Sequence, residues 1–193
     1  MLIFSSIQAQ DFPSRVLHEG YLVTNDMDTV RGLVKYDMET NVVQVYINRD
    51  QVKTFSSKKI LYFEIFDKSV KNYRQFYSLP HQVNINYRAQ ALFEVLYEGP
   101  LTLLGQEKIV VVTDPYSQAY YNGPSATREK LEYTYFFVNQ KGKMKEYNTG
   151  KSKDLLEILV KHQYKVKDFI KENKLKTDRM RDIVRITAFY NSL

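Results

Sequence analysis

The chain has 193 residues, which fits one domain of ordinary size or a small pair of domains. Hydrophobic residues make up 44% and charged residues 26%, which argues against wholesale disorder, and the absence of Cys excludes disulfides, zinc–thiolate sites and cysteine nucleophiles. The net charge of +6 comes from one segment, because Lys141 to Arg185 holds 14 Lys and Arg against 7 Asp and Glu, whereas the rest holds 14 against 15.

The first eleven residues look like the second half of a secretory signal. A short apolar run is followed by small and polar residues, and Ala9 is a suitable last residue before cleavage. We therefore expect residues 1–10 to be a signal-peptide remnant and the product to be periplasmic or secreted. A basic region before the apolar run is missing, so a frayed terminus or a first edge strand is the alternative. No later segment is apolar enough for a transmembrane helix.

Alternating apolar and polar residues predict a series of short strands in the first third of the chain. In one such run Val43, Val45 and Ile47 share a face, and turn residues such as those at 25–28 separate the runs. The predicted strands cover residues 20–24, 29–36, 42–47, 51–55 and 60–66.

Further strands follow, with two irregular stretches between them. We expect Pro80 to end a strand and residues 82–89 to form a polar loop. Residues 114–130 lack periodicity and hold Pro and Gly, which predicts a long loop of a kind that is often functional. The strands predicted here cover residues 73–79, 91–98, 101–104, 108–113, 133–138 and 143–147.

After Gly150 the period of the apolar residues changes from two to 3.6. Helices are predicted over residues 153–162, with Ser152 as N-cap, over 166–173, and over 178–191, with Thr177 as N-cap. The predicted fold is α+β: an antiparallel β meander followed by three C-terminal helices. The predicted organisation is a signal remnant at 1–10, a β-rich domain at 11–150 and a helical segment at 151–193 packed on it.

Two resemblances accompany these patterns. The succession Gly20-Tyr21-Leu22-Val23, turn, Arg31-Gly32-Leu33-Val34, turn is similar to SH3-like small barrels, which implies a barrel-like N-terminal part with a bend at Gly32. Over most of its length the chain resembles uncharacterised exported proteins common in Bacteroidota. The resemblance rests on the succession of features along the chain: the meander, Phe63–Phe66, residues 93–103, Tyr135-Phe136-Phe137, the Lys-rich helices and Tyr190-Asn191. That resemblance implies a fold and a compartment and carries no activity.

The candidate ligand-binding residues are three tyrosines in the long loop. Tyr116, Tyr120 and Tyr121 can stack on sugars or peptides, and the alternative is that they pack over their own sheet. The sequence holds no catalytic set, and we predict no metal site and no cofactor, because His18, His81 and His162 have no metal-ligand spacing.

Carboxylates within apolar strands offer a second hypothesis. Glu64 and Glu94 would suit an acid/base pair of a hydrolase, whereas strand alternation favours Glu64, Glu94 and Glu98 in solvent. The basic C-terminal helices resemble a nucleic-acid-binding pair, but Asp178 and Asp182 lie where phosphates would be met, so no nucleic-acid partner is expected. The sequence thus favours a non-enzymatic cell-envelope module that binds a protein or glycan, with the hydrolase as the alternative.

Overall fold

The computed structural model describes residues 12–84, 86–113, 127–147 and 152–193. In these residues the chain forms an antiparallel meander of ten strands followed by three α-helices, which confirms the predicted fold class. None of the helices described is long and apolar enough to cross a membrane.

The strands follow one another in space almost as they do in sequence. Their order is β10-β9-β8-β7-β6-β5-β1-β2-β3-β4, so the sheet is open and the barrel-like closure expected for the N-terminal part is wrong. The strands are β1 (His18–Thr24), β2 (Thr29–Asp37), β3 (Val42–Tyr46), β4 (Val52–Ser56), β5 (Ile60–Asp67), β6 (Asn72–Asn84), β7 (Tyr87–Tyr97), β8 (Leu101–Thr113), β9 (Thr127–Asn139) and β10 (Met144–Tyr147).

The chain divides into two compact units within β6. Unit 1 is Met1–Arg74 and unit 2 is Gln75–Leu193. The change of period near Gly150 therefore falls inside unit 2, which contains both strands and helices.

The core of unit 1 lies on one face of its strands. The fully buried Leu22, Val34 and Phe63 alternate with outward residues at the period of two that a half-buried strand requires. Gly32 lies at a close approach of two strands, since a Cβ there would collide with the carbonyl oxygen of Tyr46. This contact explains the glycine at position 32, whereas the bend predicted there stays a prediction.

A buried ion pair lies in this core. The Arg74 Nη1 atom lies 3.2 Å from Asp67 Oδ2 and donates to the Tyr36 hydroxyl at 3.0 Å, and both charged side chains are less than a tenth exposed. Asp67 also accepts hydrogen bonds from the Ser69 amide at 2.9 Å and the Ser69 hydroxyl at 2.6 Å, which form the β5–β6 turn. Burial by itself raises the pKa of Asp67, but the bonds from Ser69 and Arg74 outweigh it and hold that pKa below its ordinary value.

Replacing Asp67 should therefore change how stability depends on pH. Because the pKa of Asp67 is lower when folded, its contribution is fully present above the ordinary carboxyl pKa of about 4 and is lost as the pH falls through the lowered value. Asp67→Asn should cost about 3–5 kcal/mol at neutral pH, because it leaves the buried Arg74 charge without this carboxylate, and should flatten the acid side of the stability curve. Urea unfolding from pH 2 to pH 7 measures both effects.

The matched control is Asp26→Asn, which changes an exposed turn carboxylate of the same unit. This variant should unfold like the unchanged protein at every pH. An acid side as steep in Asp67→Asn as in the unchanged protein would contradict the role assigned to Asp67.

The strands of unit 2 are longer than the sequence predicts. Pro80 lies within β6, paired with Gln90, and the predicted loop at residues 82–89 is largely the end of a long hairpin, so both expectations are wrong. Proline is tolerated in a strand where the ladder does not need its N–H. The two strands predicted between Leu101 and Thr113 are one strand, and β9 begins at Thr127, inside the predicted long loop.

Three helices cover one face of this sheet. They are α1 (Ser152–Ile158), α2 (Gln163–Glu172) and α3 (Met180–Asn191), with a 3₁₀ turn at Val160–His162, so all three begin or end one to four residues from their predicted bounds. Their contact with the sheet buries Leu103, Phe137 and Tyr147 of the strands against Leu155, Val166, Ile183 and Ile186 of the helical segment.

The last residue of α3 is tied to the first residue of β8. Asn191 Oδ1 accepts from the Leu101 amide at 2.8 Å, and Asn191 Nδ2 donates to the Leu101 carbonyl at 2.8 Å and to the Thr187 carbonyl at 3.1 Å. On β8, the pairing with β7 begins at Leu103, which pairs with Tyr97, so Leu101 lies beyond the end of this ladder. The Asn191 side chain bonds to the Leu101 backbone at that point. One side chain thus satisfies the N–H and the C=O of the same residue.

Truncating Asn191 should weaken unit 2. Asn191→Ala leaves the Leu101 amide and carbonyl without this partner, and each lost partner of a buried polar group costs about 1–3 kcal/mol. We expect a loss of about 2–4 kcal/mol, measured by thermal or urea unfolding. Ser192→Ala, which removes an exposed hydroxyl that donates to the Phe189 carbonyl at 2.7 Å, is the control and should change stability far less; equal losses would contradict the tie.

Candidate functional site

The candidate tyrosines of the long loop are not among the residues that the structure describes. Tyr116, Tyr120 and Tyr121 lie at positions 114–126, which are not among the described residues. Their role in ligand binding therefore stays a prediction.

The three strand carboxylates have different surroundings. Glu64 is half-buried in unit 1, whereas in unit 2 Glu98 is exposed and Glu94 is only 7% exposed. The expectation that Glu94 points to solvent is therefore wrong. Glu94 pairs with Gly105, which pairs with Tyr135, so these three residues lie in one row across the sheet. Gly105 has no side chain there, which gives its large neighbours space.

A second buried carboxylate of unit 2 escaped the sequence interpretation. Glu107 is 4% exposed and accepts a hydrogen bond from the Tyr133 hydroxyl at 3.1 Å. Tyr133 in turn stacks on Tyr135, with ring centroids 6.2 Å apart. The sequence predicts two strands here, at residues 101–104 and 108–113, so Glu107 lies between the predicted strands, whereas in the structure it lies within β8.

Tyr135 joins this group of buried polar residues. Burial raises the pKa of Tyr135 to about 12, and the negative charge of Glu94 adds to the effect of burial. The phenol is therefore neutral over the whole physiological pH range.

The alkaline stability of the protein should depend on Tyr135. Unfolding restores an ordinary phenol pKa of about 10, so the stabilising contribution is present below pH 10 and is lost as the pH rises from about 10 to 12. Tyr135→Phe should reduce the fall in unfolding free energy between pH 9 and pH 11 by up to about 1.4 kcal/mol per pH unit. Tyr164→Phe, at a tyrosine that is 84% exposed, is the control, and an identical pH dependence for Tyr135→Phe and the unchanged protein would contradict this reading.

Each of the three histidines contacts other residues of the fold. His18 Nε2 lies 2.7 Å from the Pro13 carbonyl, the His81 ring meets the edges of Phe93 and Phe136, and the His162 ring packs on Tyr190. Among the described residues no three His, Asp or Glu side chains are grouped as metal ligands.

The side of the unit 1 sheet opposite its core carries a set of five aromatic residues and one leucine. Alternation places these side chains outward because their strand neighbours Leu22, Val34 and Phe63 are fully buried. The set, which we call the aromatic face, consists of Tyr21, Leu33, Tyr46, Tyr62, Phe66 and Tyr73.

The rings of the aromatic face pair edge to face. The Tyr21 and Tyr62 centroids are 6.0 Å apart at 83°, and those of Phe66 and Tyr73 are 5.1 Å apart at 63°. Such pairs are favourable and hold the rings in place. Tyr73 is 65% exposed, so most of its side chain is open to solvent.

Charged side chains lie among these rings. Arg31 packs over Tyr21 at 5.1 Å, and Glu64 is the cross-strand partner of Tyr21 on β5. Burial raises the pKa of the Tyr21 phenol, and a hydrogen bond with Tyr62 and the charge of Glu64 raise it further, against the effect of Arg31. The face therefore combines apolar ring surface with charged hydrogen-bonding groups.

Comparisons with models of protein families, with curated proteins and with solved structures found no match for the chain. The resemblance to exported proteins of Bacteroidota thus stays a prediction.

The aromatic face escaped the sequence interpretation, although its signal is present. Tyr21, Tyr62 and Phe66 each follow or precede a core residue in a predicted strand, so their outward direction follows from alternation. The pairing of β1 with β2 and β5 places these three strands side by side and brings the aromatic residues together. This pairing is visible only in the tertiary structure.

Proposed function

We propose that the protein is a non-enzymatic binding module of the cell envelope and that the aromatic face binds a glycan. The observation that supports the proposal is the alternation of half-exposed rings with charged groups across β2, β1 and β5. The C–H bonds of a sugar ring pack against the negative face of an aromatic ring. Sugar hydroxyls bond to carboxylate and guanidinium groups, which Glu64 and Arg31 supply beside Tyr21.

The charges within the face favour a glycan over a protein partner. Glutamate, aspartate and lysine are depleted in protein–protein interfaces, because their desolvation is costly, whereas arginine is enriched there. Here Glu64 and Arg31 flank Tyr21 on both neighbouring strands, and exposed Glu19, bonded to Lys68 at 3.0 Å, lies opposite Leu33 and Phe66. A polyhydroxylated ligand bonds to such groups and compensates for their lost water.

The proposed location rests on the N-terminal sequence. If the chain is exported, protein purified from its native host should begin near Gln10 or Asp11. Mass spectrometry of the intact protein measures this directly. Recovery of a chain that still begins at Met1 from the cytoplasm would contradict export.

Glycan binding should depend on the aromatic face. Native gel electrophoresis in the presence of soluble neutral polysaccharides, such as a β-glucan, a mannan and an arabinogalactan, should show retardation of the protein by at least one of them. Tyr21→Ala combined with Tyr62→Ala should weaken binding about ten-fold or more, because two stacking rings are lost; for comparison, one aromatic side chain contributes about 1–3 kcal/mol when a nucleobase stacks on it. Tyr164→Ala removes an exposed tyrosine of α2 and should leave binding unchanged.

Two results would contradict the proposal. Binding that is unaffected by the double variant would exclude the aromatic face as the site, provided that circular dichroism shows the variant folded. Release of reducing ends from a bound polysaccharide would favour the hydrolase, and Glu64→Gln and Glu94→Gln would then identify its carboxylates.

A further inference from the structure

A cleft in unit 2 lies where four segments meet. It has a volume of about 560 Å³, within the range of small-molecule sites. Its walls are the start of β8, the β9–β10 turn, the 3₁₀ turn Val160–His162 and the end of α3. The lining residues are Pro100, Leu101, Asn139, Gln140, Lys141, Lys161, His162, Tyr190, Asn191 and Leu193.

Hydrogen bonds fix the walls of this cleft. Asn191 ties α3 to Leu101 of β8 through the bonds described above. In the β9–β10 turn, Asn139 Oδ1 accepts from the amides of Lys141 and Lys143, both at 3.0 Å. The His162 ring packs against Tyr190 with centroids 5.9 Å apart, which joins the 3₁₀ turn to α3. The cleft is therefore largely preformed, and a preformed site loses less entropy on binding.

The side chains that line the cleft favour a negative charge. Lys141, Lys161 and His162 come from two separate segments, and none of the ten lining residues has a carboxylate side chain. The neutral lining groups include the side-chain amide of Gln140 and the hydroxyl of Tyr190, both of which can donate hydrogen bonds, whereas the two N–H groups of Asn191 already bond to the Leu101 and Thr187 carbonyls. A concave site lined by charge of one sign concentrates ions of the opposite sign.

The remainder of the lining is apolar. Pro100, Leu101 and the Tyr190 ring provide surface that an inorganic ion alone would leave uncovered. Solvated surface lysines are common, but here two of them border one preformed cleft together with aromatic and apolar groups. We infer that the cleft binds a small organic ligand that carries a phosphate or carboxylate group. This site is independent of the aromatic face.

The inference predicts anion-selective binding that depends on Lys141 and Lys161. Isothermal titration calorimetry is performed with glucose 6-phosphate, glucuronate, glucose and inorganic phosphate. Comparing the four affinities distinguishes the contribution of the anionic group from that of the sugar ring. At least one of the two sugar anions should bind with a Kd below about 1 mM. Lys141→Gln and Lys161→Gln should each weaken it about ten-fold, as expected for a charge-assisted hydrogen bond.

The matched control is Lys167→Gln. It removes the same charge from an exposed position of α2 that does not line the cleft, so affinity should not change. Lys141 and Lys161 are exposed, so their variants should fold, and thermal unfolding checks this. Preference for glucose 6-phosphate assigns a phosphate ligand, and preference for glucuronate assigns a carboxylate ligand.

Several outcomes would overturn the inference. Binding of glucose as tight as that of its charged derivatives would exclude an anion site. Binding of inorganic phosphate as tight as that of glucose 6-phosphate would exclude a contribution from the organic body. An equal loss in Lys167→Gln would assign the effect to overall charge, and a Kd above about 1 mM for both sugar anions would leave the cleft without this function.

Discussion

The alternation of side chains along each strand is the constraint on which both units depend. Successive residues of a strand point to opposite faces, so a residue that is buried determines where its neighbours lie. In unit 1, the burial of Leu22 and Phe63 places Tyr21 and Tyr62 on the outer face. In unit 2, helices cover the face that holds Leu103 and Phe137. The aromatic face is the surface that this division leaves uncovered in unit 1.

Buried polar groups are the second feature common to the units. Removing a charge from water is costly unless hydrogen bonds compensate for it. Asp67 has Arg74 and Ser69 as partners, and Glu107 has Tyr133. Such groups limit how the strands can shift relative to one another, because a change of register would separate the partners.

The two proposed sites differ in the chemistry that they would recognise. The aromatic face is a sheet surface on which rings and charges of both signs alternate, which suits a neutral polymer of sugar rings. The cleft of unit 2 is concave and has basic and amide groups, which suits a small anion. The basic excess between Lys141 and Arg185 is therefore more than a solvated helix surface, because Lys141 and Lys161 also border a preformed site.

The sequence by itself determined the class of fold, since period-two alternation up to Tyr147 and period 3.6 after Gly150 follow from local geometry. It also determined most strand positions. Only the tertiary structure decided that the sheet is open, that Pro80 continues a strand and that Glu94 is buried, because pairing between distant residues sets these features. The aromatic face and the cleft likewise depend on segments far apart in sequence, such as Lys141 and Tyr190, which no local pattern brings together.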